Sequence, residues 1–377
     1  MTLGDVQVID DRTVLVLGQE LDVAHDRPDV GNALVHRAGD TLVLVDTGVT
    51  EAFRAALRAA ADRVGPWSRL LLLTTHGHTD HVGNNDLVDE LAAERGAPAE
   101  HWIPARDVEQ MAHPVPYWEH AFARIAGVTA LPAPPALSAA KIVSMFQPLH
   151  PFGDTTRTYE ERPLERLTLG SVRMTGWSFA GGAVRVLRSQ GHTAGHVVVH
   201  LAETGLLHLG DEPNGGCGAM PDADQLKLAT VLGAVATAAA EGAVTTVTQA
   251  HDATVRRGAD AVAHLDELVE QGLALQGAAV ELTAGHAEVD PTAFTDAITH
   301  RLAELGDGPS PNPVFTGMMA VNLLAELGLR PARGDDARPW AAPARTDPEP
   351  VAGMPHGLAL LPAAAAMVGW KLRGRDK

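Results

Sequence analysis

The chain of 377 residues reads as an α/β protein in which two sheets pack together with helices outside, a four-layer arrangement. Three observations predict it. Short strand patterns fill residues 1–50 and return between 167 and 248, with amphipathic helices after each block. Residues 70–74 form a continuous apolar run, as expected of a strand buried on both faces. Polar residues able to bind metal follow such apolar runs at separate points, which is where open α/β-type sheets collect their ligand sites.

Taken in order, strands are expected at 6–9, 13–17, 32–37 and 41–46, with Gly39-Asp40 as the turn of the last hairpin. An amphipathic helix follows at 51–64, its apolar residues three and four apart. The strand at 70–74 leads straight into Thr-His-Gly-His-Thr-Asp-His, and a helix covers 85–95. From 103 to 167 the pattern breaks into an insertion that reads as one or two helices outside the sheets. Strands resume at 167–178, 183–189, 196–201, 205–209 and 244–248, with a helix at 223–240. Helices then occupy 256–275, 291–305 and 317–327; Asp290 caps Pro291, and Gly328 sits just past the last. The resulting organisation is a catalytic domain at 1–255, a helical C-terminal extension at 256–330, and a Pro/Ala-rich linker with an apolar tail at 331–377.

The composition, 45% hydrophobic and 20% charged, suits a globular chain with a sizeable core. Lys plus Arg number 29 against 47 Asp plus Glu, and a net charge of −18 repels a phosphate backbone, so no nucleic-acid partner is expected. With one cysteine, Cys217, neither an internal disulfide nor a cysteine-based zinc ribbon can form. Any metal is therefore held by His and carboxylates. The N-terminal segment has no basic region leading into an apolar stretch, and a cytoplasmic location is expected. The apolar stretch 351–370 has the length of a membrane span, yet Pro355, His356 and Pro362 interrupt it, which disfavours a membrane anchor.

The strongest chemical signal is His76-Gly77-His78-Thr79-Asp80-His81, three imidazoles and a carboxylate directly after a buried strand. In an extended segment residues two apart face the same way, so His76 and His78 can clamp one ion. A following bend can turn Asp80 and His81 toward a second. Such N/O donors are those expected for zinc without thiolates. An exposed His-rich turn is the bland alternative, but counterparts sit at other strand ends: His192 and His196 in Gly-His-Thr-Ala-Gly-His, Asp211 after Leu-Gly, and His251.

These motifs resemble those of the metallo-β-lactamase superfamily, and within it the glyoxalase II-like and lactonase-like hydrolases. The likeness rests on His-x-His-x-Asp-His at 76–81, Gly-His-Thr-x-Gly-His at 191–196, Leu-Gly-Asp at 209–211, His251 and the early Asp46-Thr47-Gly48, and covers about residues 14–255. It implies the αββα four-layer sandwich of that family. It also implies that His76, His78 and His192 bind one metal, that Asp80, His81 and His251 bind a second, and that Asp211 bridges both. Asp46 would hold the ligand loop by hydrogen bonds, and His196 would have a structural role.

The implied activity is hydrolysis of an ester-like bond (a thioester, a lactone or a related acyl compound) by a metal-bridging hydroxide, with Asp80 as the catalytic proton carrier. Two divalent ions are expected, Zn²⁺ by default, although Fe or Mn also suit an N/O donor set. An iron-dependent oxygenase on the same fold, of persulfide dioxygenase or diiron oxidase type, is the alternative. The insertion at 103–167 is the candidate substrate cap, with Tyr117, Trp118, Phe122, Phe146 and Phe152 as an apolar wall, unless they only pack the insertion down. Tyr117 is the candidate oxyanion donor, and His25, His120 and His150 are candidates to line the cleft. The expected partner is a small-molecule substrate. The apolar stretch 314–329 offers a seam for a homodimer, with core packing as the competing explanation.

Overall fold

The computed structural model describes residues 2–126, 138–212, 218–304, 313–331 and 340–341. Among them seven strands form the first sheet in chain order: β1 (Val6–Val8), β2 (Thr13–Val16), β3 (Ala33–Ala38), β4 (Thr41–Val45), β5 (Arg69–Leu73), β6 (Ala99–Ile103) and β7 (Thr156–Thr158). Pairing is antiparallel from β1 to β4 and parallel from β4 to β7. The second sheet holds β8 (Glu165–Leu169), β9 (Val172–Phe179), β10 (Val184–Arg188), β11 (Val197–Leu201), β12 (Leu206–His208), β13 (Thr246–Thr248) and β14 (Arg256–Arg257). Its pairs are antiparallel except β12 with β13.

The helices are α1 (Glu51–Arg63), α2 (Thr79–Val82), α3 (Leu87–Arg95), α4 (Val108–Ala112), α5 (Pro114–Ala126), α6 (Ala139–Met145), α7 (Gln225–Ala240), α8 (Ala259–Thr283), α9 (Pro291–Glu304) and α10 (Pro313–Glu326). The start of α1 shows how sequence sets local structure. The Thr50 hydroxyl accepts from the Phe53 N–H at 3.2 Å, and Phe53, Leu57 and Ala60 then fall on one buried face.

Side-chain alternation along the strands builds the layers. Val43, Val45, Leu71 and Leu73 point inward and meet Trp177, Val186, Val197 and Val199 of the second sheet. Leu42, Leu44, Leu70 and Leu72 point outward, where Phe53 and Leu57 of α1 and Leu87 and Leu91 of α3 cover them. Strands β4 and β5 are thus apolar on both faces. On the outer face of the second sheet, Leu187, Val198 and Leu207 pack under Leu228, Leu232 and Val235 of α7 and Leu265 of α8. Helix, sheet, sheet, helix is the observed order, in agreement with the αββα expectation.

The C-terminal helices do not stand apart. Leu275 of α8, Phe294 and Ile298 of α9, and Met318, Val321 and Leu324 of α10 share one cluster with Ala121 and Ile125 of α5, from the insertion. Asn322 of α10 donates to the carbonyls of Gly218 (3.3 Å) and Met220 (2.7 Å), and Glu326 accepts from the Gln225 N–H that opens α7. Helix α10 therefore backs both the insertion helix and the loop that follows Asp211.

Several expectations are corrected. Residues 167–178 are not one strand: the chain folds back between β8 and β9 at Gly170, whose φ of +59° a side chain would resist. The insertion does reach a sheet, because β7 pairs with β6 at its edge; Thr-Arg-Thr carries no apolar alternation to reveal it. Arg256 and Arg257 pair with β13 before the helix begins. Most of the stretch 314–329 is interior, with Met318, Ala320, Val321 and Leu324 all buried, which agrees with the core-packing explanation. Trp340, expected in a linker, is buried in the same cluster, where Trp340–Ala341 (β17) pairs with Glu288–Val289 (β15) and Arg330–Pro331 (β16). Among the described residues no helix is long and apolar enough to cross a membrane. Cys217 and the apolar stretch 351–370 lie outside the described residues.

Candidate metal centre

Strand β5 ends at Leu73, and the five residues that follow carry His76 and His78 out of the sheet. His78, at φ −73° and ψ 148°, is the residue from which α2 starts, and that single turn swings Asp80 and His81 back inward. The loop after β10 supplies His192, the end of β12 supplies Asp211, and the end of β13 supplies His251. Their donor atoms fall into two sets, His76, His78, His192 and Asp211, and Asp80, His81, Asp211 and His251; within each set all atoms lie within 4.8 Å of one another.

In the first set His78 Nδ1 lies 2.9 Å from His76 Nε2 and 3.2 Å from His192 Nε2. Asp211 Oδ2 completes it at 3.5 Å from His192 Nε2 and 3.8 Å from His76 Nε2. In the second set Asp80 Oδ2 is 3.2 Å from both His81 Nε2 and His251 Nε2. Asp211 lies 3.2 Å from His81 Nε2 through Oδ1 and 3.3 Å from His251 Nε2 through Oδ2.

These contacts are not a closed hydrogen-bond network. His81 Nε2 and Asp211 Oδ1 are buried and 3.2 Å apart, yet neither makes a well-aligned hydrogen bond. Three ring nitrogens meeting at one point cannot all be served by the protons they carry. A tetrahedral zinc site, with Zn–N near 2.0–2.1 Å, puts its nitrogens about 3.4 Å apart. The seven residues fit two divalent cations sharing Asp211.

Electrostatics separates the sets. Burial, aided by the neighbouring rings, pushes His76 and His192 well below the usual histidine range and also lowers His78, which favours the neutral rings that metal ligation requires. Burial works the same way on His81 and His251, but Asp211, with Asp80 and Asp46 beside His81 and Asp29 beside His251, outweighs it and raises both well above that range. Burial would raise Asp80 and Asp211; His81 and His251 overcome it and hold both carboxyls far down. The second set thus concentrates carboxylate charge that a cation would neutralise.

A shell of fixed partners holds the donors. Asp46, fully buried, accepts from His81 Nδ1 (2.9 Å) and from the Thr75 N–H and hydroxyl (both 2.7 Å). His196 is no donor to either set: its Nε2 accepts from the Asp211 N–H at 3.2 Å, and its Nδ1 lies 2.9 Å from Glu212. Glu212 also accepts from the Gly191 and His192 N–H groups. Asp107 accepts from the Gly77 N–H (3.0 Å), the Thr193 hydroxyl (2.7 Å) and the Gly195 N–H (2.8 Å), clasping both histidine loops. A Cβ on Gly77 would come within 2.8 Å of Asp107, so that approach requires glycine. Burial, with Asp222 adding to it, pushes Asp107 up to about 7, against the pull of its donors. Asp29 lies 3.4 Å from His251 Nδ1.

The insertion contributes unevenly. Tyr117 and Trp118 of α5 stand over His78, with ring centroids 6.1 and 5.8 Å from its own. The Tyr117 hydroxyl donates to Asp222 at 2.9 Å, which leaves no hydrogen for a substrate oxyanion, so the oxyanion-donor role does not fit. Phe122 packs on Trp118, which packs on Tyr117, so these three form one aromatic row, whereas Phe146 is in the core under the first sheet and Phe152 is exposed. His25 sits in an exposed turn with Nδ1 2.8 Å from Asp22, and His120 and His150 are exposed. Sequence reasoning did not single out Asp29, Asp107, Glu212 or Asp222. Of these, Glu212 alone carried a signal, its place beside Asp211.

The metallo-beta-lactamase superfamily model matches residues 26–164. No curated protein matches the chain. Among solved structures, a metallo-beta-lactamase family protein from Thermus thermophilus aligns with a TM-score of 0.56 and 18% identity, covering 89% of this chain and 100% of its own. A beta-lactamase domain protein from Burkholderia ambifaria aligns at 0.53 and 17%, covering 91% of this chain and 94% of its own. The stereoselective inverting sec-alkylsulfatase Pisa1 from Pseudomonas sp. aligns at 0.52 and 17%, covering 92% of this chain but 52% of its own. At such identities these structures share the fold with this chain. The family match includes His76 to His81, and the four-layer fold of the chain agrees with it.

Proposed function

We propose that the protein is a dinuclear metal-dependent hydrolase of an ester-like bond, a thioester, a lactone or a related acyl compound, in the glyoxalase II-like and lactonase-like branch. The observation that carries the reading is the convergence of seven donors from four strand ends into two sets joined at Asp211. When bound, two divalent cations supply an activated water and a positive centre for a developing oxyanion. His76, His78 and His192 would hold the first ion, Asp80, His81 and His251 the second, and Asp211 both.

The chain's own groups divide the remaining work. Asp80 is the more accessible of the two ligand carboxylates, with its side chain 13% exposed against 4% for Asp211. It is the one able to hold a proton between nucleophile and leaving group. Trp118 and the Tyr117 ring shield His78 and give an acyl group an apolar surface. His251, 26% exposed, marks the side from which substrate and water arrive. A net charge of −18 supports a small-molecule substrate over a nucleic acid, and a cytoplasmic location belongs to the same proposal.

The test is metal analysis of freshly purified protein, with assays of thioesters, lactones, phosphodiesters and sec-alkyl sulfate esters, each with and without chelator. Two zinc ions per chain and chelator-sensitive turnover of the acyl substrates are expected. Iron with oxygen uptake would overturn the reading in favour of an oxygenase. Turnover of the sulfate esters alone would overturn the acyl assignment while leaving the metal centre in place.

A further inference from the structure

The geometry points to Tyr117 and Asp222 as positioning residues that set which nitrogen of His78 carries the proton, an inference that rests on the metal reading above. His78 turns Nδ1 toward His76 Nε2 and His192 Nε2, so as a ligand it must keep its proton on Nε2. That Nε2 lies 3.5 Å from the Tyr117 hydroxyl oxygen, a long hydrogen bond in which the ring donates. The phenol in turn donates to Asp222 Oδ1 at 2.9 Å. Asp222 Oδ2 accepts from the Ala194 N–H at 2.8 Å, inside the loop that carries His192.

Polarity along this relay is fixed from its acidic end. Asp222 accepts through both oxygens, from the phenol and from the Ala194 N–H, so the single phenolic hydrogen is committed to Asp222 and the phenol oxygen is left as the acceptor for His78. Asn322 of α10 fixes the carbonyls of Gly218 and Met220 just before Asp222, so the relay is anchored in the C-terminal helices.

Asp222→Asn keeps the shape and reverses the polarity. If its remaining oxygen stays with Ala194, its amide hydrogens face the phenol oxygen, and the hydroxyl hydrogen turns to His78 Nε2. The ring proton then moves to Nδ1, where the ion must bind. Competition with a chromophoric chelator for Zn²⁺ should show D222N weakened roughly 10–100-fold at one of its two sites, with the other unchanged. The double variant Y117F/D222N, which lacks the misdirected hydrogen, should bind more tightly than D222N. In metal-free protein, long-range ¹H–¹⁵N spectra should report the Nε2–H form of His78 in the wild type and the Nδ1–H form in D222N.

A double variant weaker than D222N, or a D222N with wild-type affinity, would overturn the inference. So would an unchanged His78 tautomer in D222N. Wild-type protein that takes up no divalent ion would sink the metal reading instead, and the tautomer spectra would still decide between the two polarities.

Discussion

His76, His78 and His192 form a set of neutral rings sealed beneath Trp118, whereas Asp80, His81 and His251 combine carboxylate charge with a face open to solvent. The first draws its cohesion from burial and from loops clasped by Asp107 and Asp222; the second relies on charge, with Asp29 and Asp46 behind its histidines. The lesson is a division of labour. A dry, neutral pocket suits an ion that stays, and an open, anionic one suits the position where substrate and water exchange.

The most damaging way to break this comparison is to remove what both sides share. Asp211→Asn should strip both ions and cost at least roughly a thousandfold in kcat/KM, read by metal stoichiometry alongside turnover. Next come the separate losses. His192→Ala should empty the sealed position and His251→Ala the open one, each leaving about one ion per chain. Limited chelator on the wild type should remove the open-side ion first; simultaneous loss would erase the distinction. Asp29→Asn should weaken only the open-side ion, by roughly 10–100-fold in a competition titration.

The fold's own acid limit acts apart from either set. Burial depresses His36 to about 4 and His101 to about 3 in the folded chain. Unfolded histidines titrate near 6.5, so between these values the unfolded chain binds more protons. Stability is therefore complete above pH 6.5 and falls as pH drops toward 4. His36→Gln should reduce that fall by roughly 1–3 kcal/mol in denaturant melts at pH 7.5 and 4.5, with or without chelator. The smallest effect is expected from Glu326→Ala, which removes an acceptor at the start of α7, far in sequence from both sets. It should cost about 1 kcal/mol of stability and leave metal stoichiometry unchanged.

What the sequence disclosed and what it hid follow the same division. The seven donors were legible because imidazoles and carboxylates stand directly after apolar runs such as 70–74, and that juxtaposition survives in one dimension. Strands β4 and β5 were legible for the same reason. Asp107, Asp222 and Asp29 were not, since no apolar run leads directly into any of them and each acquires its role only when a distant loop folds onto it. Strand β7 and the dock of Trp340 escaped notice because Thr-Arg-Thr and Trp-Ala show no periodicity. The aromatic residues of the insertion looked alike in sequence; only α5, backed by α10, sorts Tyr117 and Trp118 from Phe146.

His78 and His192 are 114 residues apart and belong to opposite sheets. An ion held by both acts as a cross-link between the halves of the sandwich. Such a link can form only after the two sheets have met, and a contact made late in folding acts mainly on the unfolding rate. Withdrawing the ion should leave the folding rate nearly unchanged and raise the unfolding rate. For this chain, the loss of metal would register first as a shorter lifetime of the native state.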